Sequence, residues 1–577
     1  MRRTKIVCTI GPASESRENV QALLAAGMDV ARLNFSHGTH EEHGRRIAVL
    51  KEEAAKIGKH LGILLDTKGP EIRTGMVPSE GIRLENGMSF TLDTDLSLGN
   101  QERVGITHKT LWQSVNSGTH VLIDDGQLDL EVSSVEQEKI RTIVRNGGIL
   151  KSQKGVNVPG IHVDLPAVTE KDIDDIRFGV SQGIDFIAAS FTQKAVDILD
   201  VRRIVEEMGA EVHIIAKIES QEGITNLDSI LEVADGLMVA RGDLGVEIPV
   251  EEVPICQKEM ISKCNLMGKP VIVATQMLDS MIRQPRPTRA EASDVANAIW
   301  DGTDAIMLSG ETAAGQFPIQ AVQMMDKIAR RTEKTFLESQ AKRHPQLNVA
   351  EAISYATYNI AKDLDAAAIL TPTHSGLTAK MISKYRPKAL IVAAAPFSAT
   401  ARKLSLQWGV QPLVVPESSG TDQMLSVAVN SALAMNYISS GDVVVITAGV
   451  PIGKVGSTNM IKVQIIGNIL SKGTGIGRKS YTGLAQKINN PTQDNFNQGD
   501  ILIAESTDAS FVPLIARAGA LVVREGGLTS HAAIAALQYG IPAIVGAGEA
   551  FSKVTNGQLV TVDALTGILY EGSMSIL

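Results

Sequence analysis

Eight short apolar runs, most of them followed by a stretch of helical periodicity, predict an α/β protein whose first half closes into a (β/α)8 barrel. The runs are KIVCTI, DVARLNF, GILLDT, DFIAAS, VHIIAKIE, GLMVARGD, PVIVATQ and DAIMLSGE. Helical patterns such as SRENVQALLAAG, EEHGRRIAVLKEEAAKIG and AVDILDVRRIVEEMG follow the first, second and fourth, the alternation of βα units. Eight such units close on themselves as a TIM-type barrel. A second observation is one oversized interval, between the third run ending near Asp66 and the fourth starting near Asp185, with Pro70 and Pro166 near its edges. A third is that new strand patterns begin well after the eighth run.

The oversized interval holds GIRLENGMSFTLD, HVLIDDGQLDLEV and KIRTIVRNGG. These alternate with period two and turn at Asn-Gly and Asp-Gly, so an all-β lid inserted into a barrel loop is expected. Beyond Glu333 the pattern turns helical and polar, and a further βα series follows through AAAILTPT, ALIVAAAP, QPLVVPE, DVVVITAGV and MIKVQIIG. The Gly-rich joint SKGTGIGRKS leads into a last α/β domain containing DILIAES, ALVVREGGLTSHAAIAALQYG and PAIVGA. The expected division is a barrel at 1–69 and 167–335, a lid at 70–166, an α/β domain at 336–472 and an extra domain at 473–577.

A length of 577 residues accommodates these four bodies at ordinary domain size. The formal charge of -9 is spread without long runs of one sign, which argues against nucleic acid and against a basic membrane-binding face. Small molecules or other proteins are the expected partners. The start MRRTKIVCTIGP lacks a signal-peptide core, and no window approaches the apolar length of a spanning helix, so a cytoplasmic location is expected. Cys8, Cys256 and Cys264 lack metal-type spacing and read as reduced packing residues.

In such barrels the C-terminal strand ends carry the chemistry. Here they carry Arg32, Asn34 and Ser36; Asp66, Thr67 and Lys68; Lys217 and Glu219; Arg241 and Asp243; Thr275 and Gln276; Ser309 and Glu311. Any one of these fits a surface ion pair or a cap, but strand ends from most of the barrel share one mouth. Glu219 and Asp243 supply the hard oxygens by which Mg²⁺ is held. Lys217 lies on the same strand face as Glu219, and a metal with an ammonium suits phosphoryl or enolate chemistry. A Mg²⁺-dependent enolate lyase or aldolase fits the same carboxylate pair.

Asn34, Ser36, Asp66 and Thr67 offer neutral oxygens with one carboxylate, a set compatible with a monovalent cation. The segment HGTHEEH, with His37, His40 and His43, lacks HExxH spacing and reads as a helix start with one substrate-facing His. No Walker A sequence is present: GVPIGKVGS has the wrong spacing and lacks Ser or Thr after Lys454, so a nucleotide is held in some other way. In TPTHSGLTAK, the residues Thr371, Thr373, Ser375, Gly376 and Thr378 place hydroxyls and N–H groups at a strand-to-helix turn, a construction that holds phosphate.

The segments KIVCTIGPAS, GMDVARLNFSHG, LLDTKGPEIRTG, QKGVNVPG, IIAKIES, MVARGDLGVEIP, ATQMLDSM, RPTRAEASDVANAIWDGTDAIMLSGETAAG and VITAGVP closely resemble those of the pyruvate kinase family, in its order, over residues 1 to about 472. The resemblance implies phosphoryl transfer from phosphoenolpyruvate to ADP, giving pyruvate and ATP. It implies Mg²⁺ (or Mn²⁺) on Glu219 and Asp243, and K⁺ on Asn34, Ser36, Asp66 and Thr67, with Glu71 as the mark of potassium dependence. By motif position Lys217 stabilises the transferring phosphoryl group and Arg32 and Arg73 meet the substrate phosphates. Asn34, His37, Arg73 and Lys154 face the nucleotide, and Gly242, Asp243 and Thr275 cradle the substrate carboxylate. The third domain becomes a regulatory one with an effector-phosphate loop at Thr371–Thr378, and a homotetramer is implied.

The last domain departs from that pattern. GGLTSHAAIAALQYGIPAIVG resembles the phosphohistidine domain of phosphoenolpyruvate-utilising enzymes, whose phosphoryl acceptor matches His531. No partner catalytic domain for it is evident, so a structural or regulatory module is expected. Two other classes stay open at this point: a phosphocarrier built on His531, and a non-catalytic metabolite sensor.

Overall fold

The computed structural model describes residues 1–161, 163, 166–336, 348–451, 458–492 and 495–574. Lys454 lies outside them. The chain forms two compact units, Met1–Arg343 with Phe397–Pro412, and His344–Pro396 with Leu413–Leu577.

The first unit contains a closed barrel of eight parallel strands: β1 (Lys5–Thr9), β2 (Val30–Asn34), β3 (Gly62–Asp66), β4 (Phe186–Ala189), β5 (His213–Ile218), β6 (Gly236–Ala240), β7 (Val271–Ala274) and β8 (Ala305–Leu308). Each pairs with its sequence neighbour, and β8 closes on β1 with Ala305 opposite Lys5. All eight runs read from the sequence are these strands.

Period-two alternation sorts their side chains. Val7, Val30, Leu64, Phe186, Ile215 and Met238 point inward into one apolar cluster. Ile6, Ala31, Ile63, Ile187, Ile214 and Leu237 belong to the larger cluster that includes the surrounding helices. Those helices start where the sequence predicts: Thr39 caps the helix His40–Lys56 in a reciprocal box with Glu42, which satisfies N–H groups that the first turn leaves unpaired.

Leu406, fully buried, joins the inward-facing cluster. Around it the Arg402 Nε donates to Asp185 at 2.8 Å, the Trp408 N–H to Asp304 at 3.2 Å and the Lys5 ammonium to the Val410 carbonyl at 2.7 Å. The stretch Phe397–Pro412, which the sequence reading gives to the third domain, therefore packs with the barrel.

The inserted segment is all β and has its own apolar core. His120–Ile123 and Leu128–Glu136 form the Asp-Gly hairpin, and Lys139–Asn146 adds to it antiparallel. Asp124, Asp125 and Gly126 all take positive φ in its turn, as the Asp-Gly signal requires. In the second unit, Leu390–Ala395, Ala368–Pro372 and Val443–Gly449 are parallel and Thr458–Ile465 pairs antiparallel with the last. The same unit holds a mixed eight-stranded sheet between Ile469 and Glu571. Among the described residues no helix is long and apolar enough to cross a membrane.

Candidate active site

The inward faces of β1 to β5 stop being apolar at their C-terminal ends. Val7 gives way to Thr9, Val30 to Arg32 and Asn34, Leu64 to Asp66, and Ile215 to Lys217 and then Glu219. Lys217 and Glu219 thus share a face because they continue the inward register of Ile215 past the apolar layer.

The Lys217 ammonium lies 3.1 Å from Asp66 Oδ1, 3.0 Å from Glu219 Oε1 and 2.7 Å from Ser190 Oγ. Arg32 Nε donates to Asp66 Oδ2 at 2.6 Å, and its Nη1 donates to Thr9 Oγ1 at 2.9 Å. Burial works against the Lys217 charge, but Asp66 and Glu219 outweigh it and hold the ammonium above its ordinary value. Burial likewise opposes the Asp66 charge, yet Arg32 and Lys217 keep that carboxyl below the usual range. Both groups are therefore ionised at neutral pH.

Asp243 differs. Burial first, and then the apposed Glu219 carboxylate, push its carboxyl up to about 7, against the pull of Lys217. Two carboxylates forced together are a donor set for a hard divalent cation. Asp243 lies in the first turn of the helix Arg241–Glu247, where the Gly242 N–H donates to Thr275 Oγ1 at 2.7 Å. Thr275 and Gln276 follow β7 with φ of 67° and 55°, a left-handed turn. From the lid, Asn157 donates to Glu247 of the same helix at 2.8 Å.

The residues named for a monovalent cation gather at β2 and β3: Asn34 is the register partner of Asp66, and the Asn34 side-chain Oδ1 accepts from the Ser36 N–H at 3.1 Å. Thr67 is buried and accepts from the Ser190 N–H at 3.0 Å. His37 is exposed and uses its backbone carbonyl to hold His43 Nε2 at 2.8 Å. His40 pairs with Asp175 at 2.7 Å. Arg73 and Lys154 lie beside one another in the inserted segment, where Arg73 bridges antiparallel to Gly155; Arg73 pairs with Glu71 at 2.6 Å and Lys154 with Asp124 at 2.8 Å.

Three expectations need correction. Arg241 leaves the mouth and runs between helices to Asp294 at 2.7 Å. Glu311 turns into backbone, accepting the Leu278 and Ser309 N–H groups. Both follow the last inward-facing strand residue, so strand alternation no longer aims them. In the second unit, the fully buried Thr371 lies within a strand and its hydroxyl donates to the Val392 carbonyl at 3.3 Å. Thr378 is likewise taken up, by Thr458 at 2.8 Å, whereas Ser375 is exposed. Thr373 Oγ1 accepts the Gly376 N–H at 3.0 Å.

Ser190, two residues beyond the inward-facing Phe186 and Ala188 register, joins the cluster around Lys217 without being one of the strand-end residues expected from the sequence.

The family model described as "Pyruvate kinase, barrel domain" matches residues 1–322, and "Pyruvate kinase, alpha/beta domain" matches 351–464. This chain belongs to the pyruvate kinase family. Relatives of that name are 54% identical in Geobacillus stearothermophilus over 585 residues, 52% in Bacillus licheniformis over 588 and 47% in Staphylococcus aureus over 587, each match covering all of both chains. The family is one of phosphotransferases, and the barrel mouth carries the charged cluster suited to that chemistry. Residues 496–567 match "PEP-utilising enzyme, mobile domain". There His531 starts the helix His531–Tyr539 behind the cap Ser530, with Nδ1 3.1 Å from Thr507 Oγ1.

Proposed function

We propose that this chain transfers the phosphoryl group of phosphoenolpyruvate to ADP, giving pyruvate and ATP. The observation that carries the reading is the Lys217 ammonium fixed between Asp66 and Glu219 at the barrel mouth, in a chain matching the family over its whole length.

Donor and acceptor are both anions, so the site's task is to offset charge and to align the two oxygens on either side of the phosphorus. Lys217 stays protonated and stabilises the transferring phosphoryl group. Arg32, anchored by Asp66 and Thr9, presents its remaining N–H groups to the substrate phosphate. The first turn of the helix Arg241–Glu247, with Gly242, Asp243 and Thr275, cradles the carboxylate of the substrate. Glu219 and Asp243 fit Mg²⁺ or Mn²⁺, which when bound offsets phosphate charge and orients substrate oxygens. Asn34, Ser36, Asp66 and Thr67 fit K⁺, with Glu71 nearby in sequence. Asn34, His37, Arg73 and Lys154 face the nucleotide, and the lid excludes water that would otherwise take the phosphoryl group.

The finer reading extends to regulation. A phosphorylated effector is held by the loop Thr371–Thr378 through Thr373, Ser375 and the N–H groups of the turn, in a homotetramer located in the cytoplasm. The division into barrel, lid, regulatory domain and extra domain is part of this reading, and separate apolar cores in barrel and lid support it. The last domain acts as a structural or regulatory module.

The test is ATP formation from phosphoenolpyruvate and ADP with Mg²⁺, with and without K⁺, for wild type and Lys217→Met. Turnover stimulated by K⁺ and abolished in the variant is expected. An inactive wild type under all these conditions would overturn the reading.

A further inference from the structure

The turn that ends β4 reaches both Lys217 of β5 and Glu219 just beyond it. Ser190, buried between β3 and β5, accepts from the Lys217 ammonium at 2.7 Å and donates to the Thr67 carbonyl at 2.6 Å. An ammonium has three N–H donors, and Asp66, Glu219 and Ser190 take one each. Three directions fix the nitrogen in space; two leave it free to swing about the line joining the carboxylates.

The next residue, Phe191, has φ 54°, a conformation that a bulky side chain rarely adopts. The reason for it is visible in the hydrogen bonding: the Phe191 N–H points at Glu219 Oε2 from 2.6 Å. The turn is braced on both sides. Thr192 Oγ1 donates back to the Ala189 carbonyl at 2.9 Å. A Cβ on Gly69 would come within 2.8 Å of the Phe191 ring and 2.9 Å of Ser190 Cβ, so the loop after β3 is pressed against it. That loop is itself pinned, since the Lys68 and Gly69 N–H groups both donate to Asp172 Oδ1 at 3.1 Å.

We propose that Ser190 and Phe191 are positioning residues for the reaction: Ser190 sets the place of the Lys217 ammonium through its hydroxyl, and Phe191 sets the orientation of the Glu219 carboxylate through its backbone N–H. The inference rests on the phosphoryl-transfer reading above and adds residues that touch neither substrate nor metal. The role of Phe191 is carried by its main chain, so the identity of its side chain matters only through the φ it permits.

Four proteins test this: wild type, Ser190→Ala, Phe191→Val and Phe191→Gly. Each is assayed for steady-state turnover, for thermal midpoint and for binding of Mn²⁺ alone by electron paramagnetic resonance. Ser190→Ala is expected to lower kcat about tenfold or more while leaving KM for phosphoenolpyruvate and Mn²⁺ affinity near wild type. Phe191→Val, whose branched side chain disfavours positive φ, is expected to weaken Mn²⁺ binding about tenfold or more. Phe191→Gly, for which that φ is unstrained, keeps Mn²⁺ affinity within about threefold. Equal losses in the Val and Gly variants would assign the effect to the ring and overturn the backbone role. Parallel falls of kcat, Mn²⁺ affinity and thermal midpoint in Ser190→Ala would mark Ser190 as merely structural. If Phe191→Val does not fold, Phe191→Ala, which also disfavours positive φ, takes its place with the same expected direction. An inactive wild type would instead remove the underlying reading, whereas an active wild type whose variants all match it would overturn the positioning roles.

Discussion

Replacing Lys5 by Met should change how the stability of the barrel depends on pH. Lys5 begins β1 at the end of the barrel opposite the mouth, is 4% exposed and donates to the Val410 carbonyl. Burial lowers its ammonium to about 8 from 10.5; Asp29 and Glu333 pull the other way, while Arg2 and Lys59 reinforce the drop. The gap corresponds to about 3 kcal/mol. Below pH 8 the folded chain carries a buried ammonium and bears this whole penalty. Between about 8 and 10.5 the unfolded chain binds the proton more readily than the folded one, so stability rises with pH; above that window the penalty is gone. Lys5→Met abolishes the titration. Urea unfolding followed by tryptophan fluorescence in a Trp112→Phe, Trp300→Phe background, which leaves Trp408, 1% exposed and bound to Asp304 beneath the barrel through its backbone N–H, reports the relevant transition. The stability of wild type minus variant should climb by about 2 to 3 kcal/mol between about pH 7.5 and pH 10. Parallel pH profiles for the two proteins would refute the argument.

Two further outcomes are expected. Leu406→Ala removes a fully buried side chain from the inward-facing barrel cluster and should destabilise the barrel transition by about 2 to 5 kcal/mol, read as a lower urea midpoint; an unchanged midpoint would show that the base does not rely on it. His531→Ala should leave turnover unaltered, and wild type turning over labelled phosphoenolpyruvate should yield no labelled phosphohistidine. Label recovered at His531 would make the last domain a participant in the chemistry.

The barrel strands were legible because each is a short apolar run between turn residues, and local patterning is enough to mark such runs. The Asp-Gly and Asn-Gly turns did the same for the lid. The charged cluster was legible for a related reason: Lys217 and Glu219 interrupt the inward register of an otherwise apolar strand. Ser190 shows the limit of reading by charge, since a neutral hydroxyl at a strand end attracts no notice unless the register is carried forward from Phe186 and Ala188. Arg241 and Glu311 show a different limit. They lie just beyond their strands, where the backbone turns and side-chain direction is set by tertiary packing. The role of Phe397–Pro412 was invisible for a third reason: nothing local distinguishes Leu406 from any other leucine of a βα unit, and only the folded chain brings it among Val7, Leu64 and Phe186.

That late-arriving leucine bears on how the protein is made. The eighth strand ends at Leu308, whereas Leu406 emerges from the ribosome about a hundred residues afterwards. A nascent chain can thus hold every barrel strand while the ring of Val7, Leu64, Phe186 and Ile215 still lacks its cover. Long-range closure of this kind is slow, and uncovered apolar surface invites association with neighbouring chains. A fragment cut after the barrel helix Pro318–Phe336 would be frozen in that exposed condition, so the catalytic unit matures only with the synthesis of a segment far downstream of its last strand.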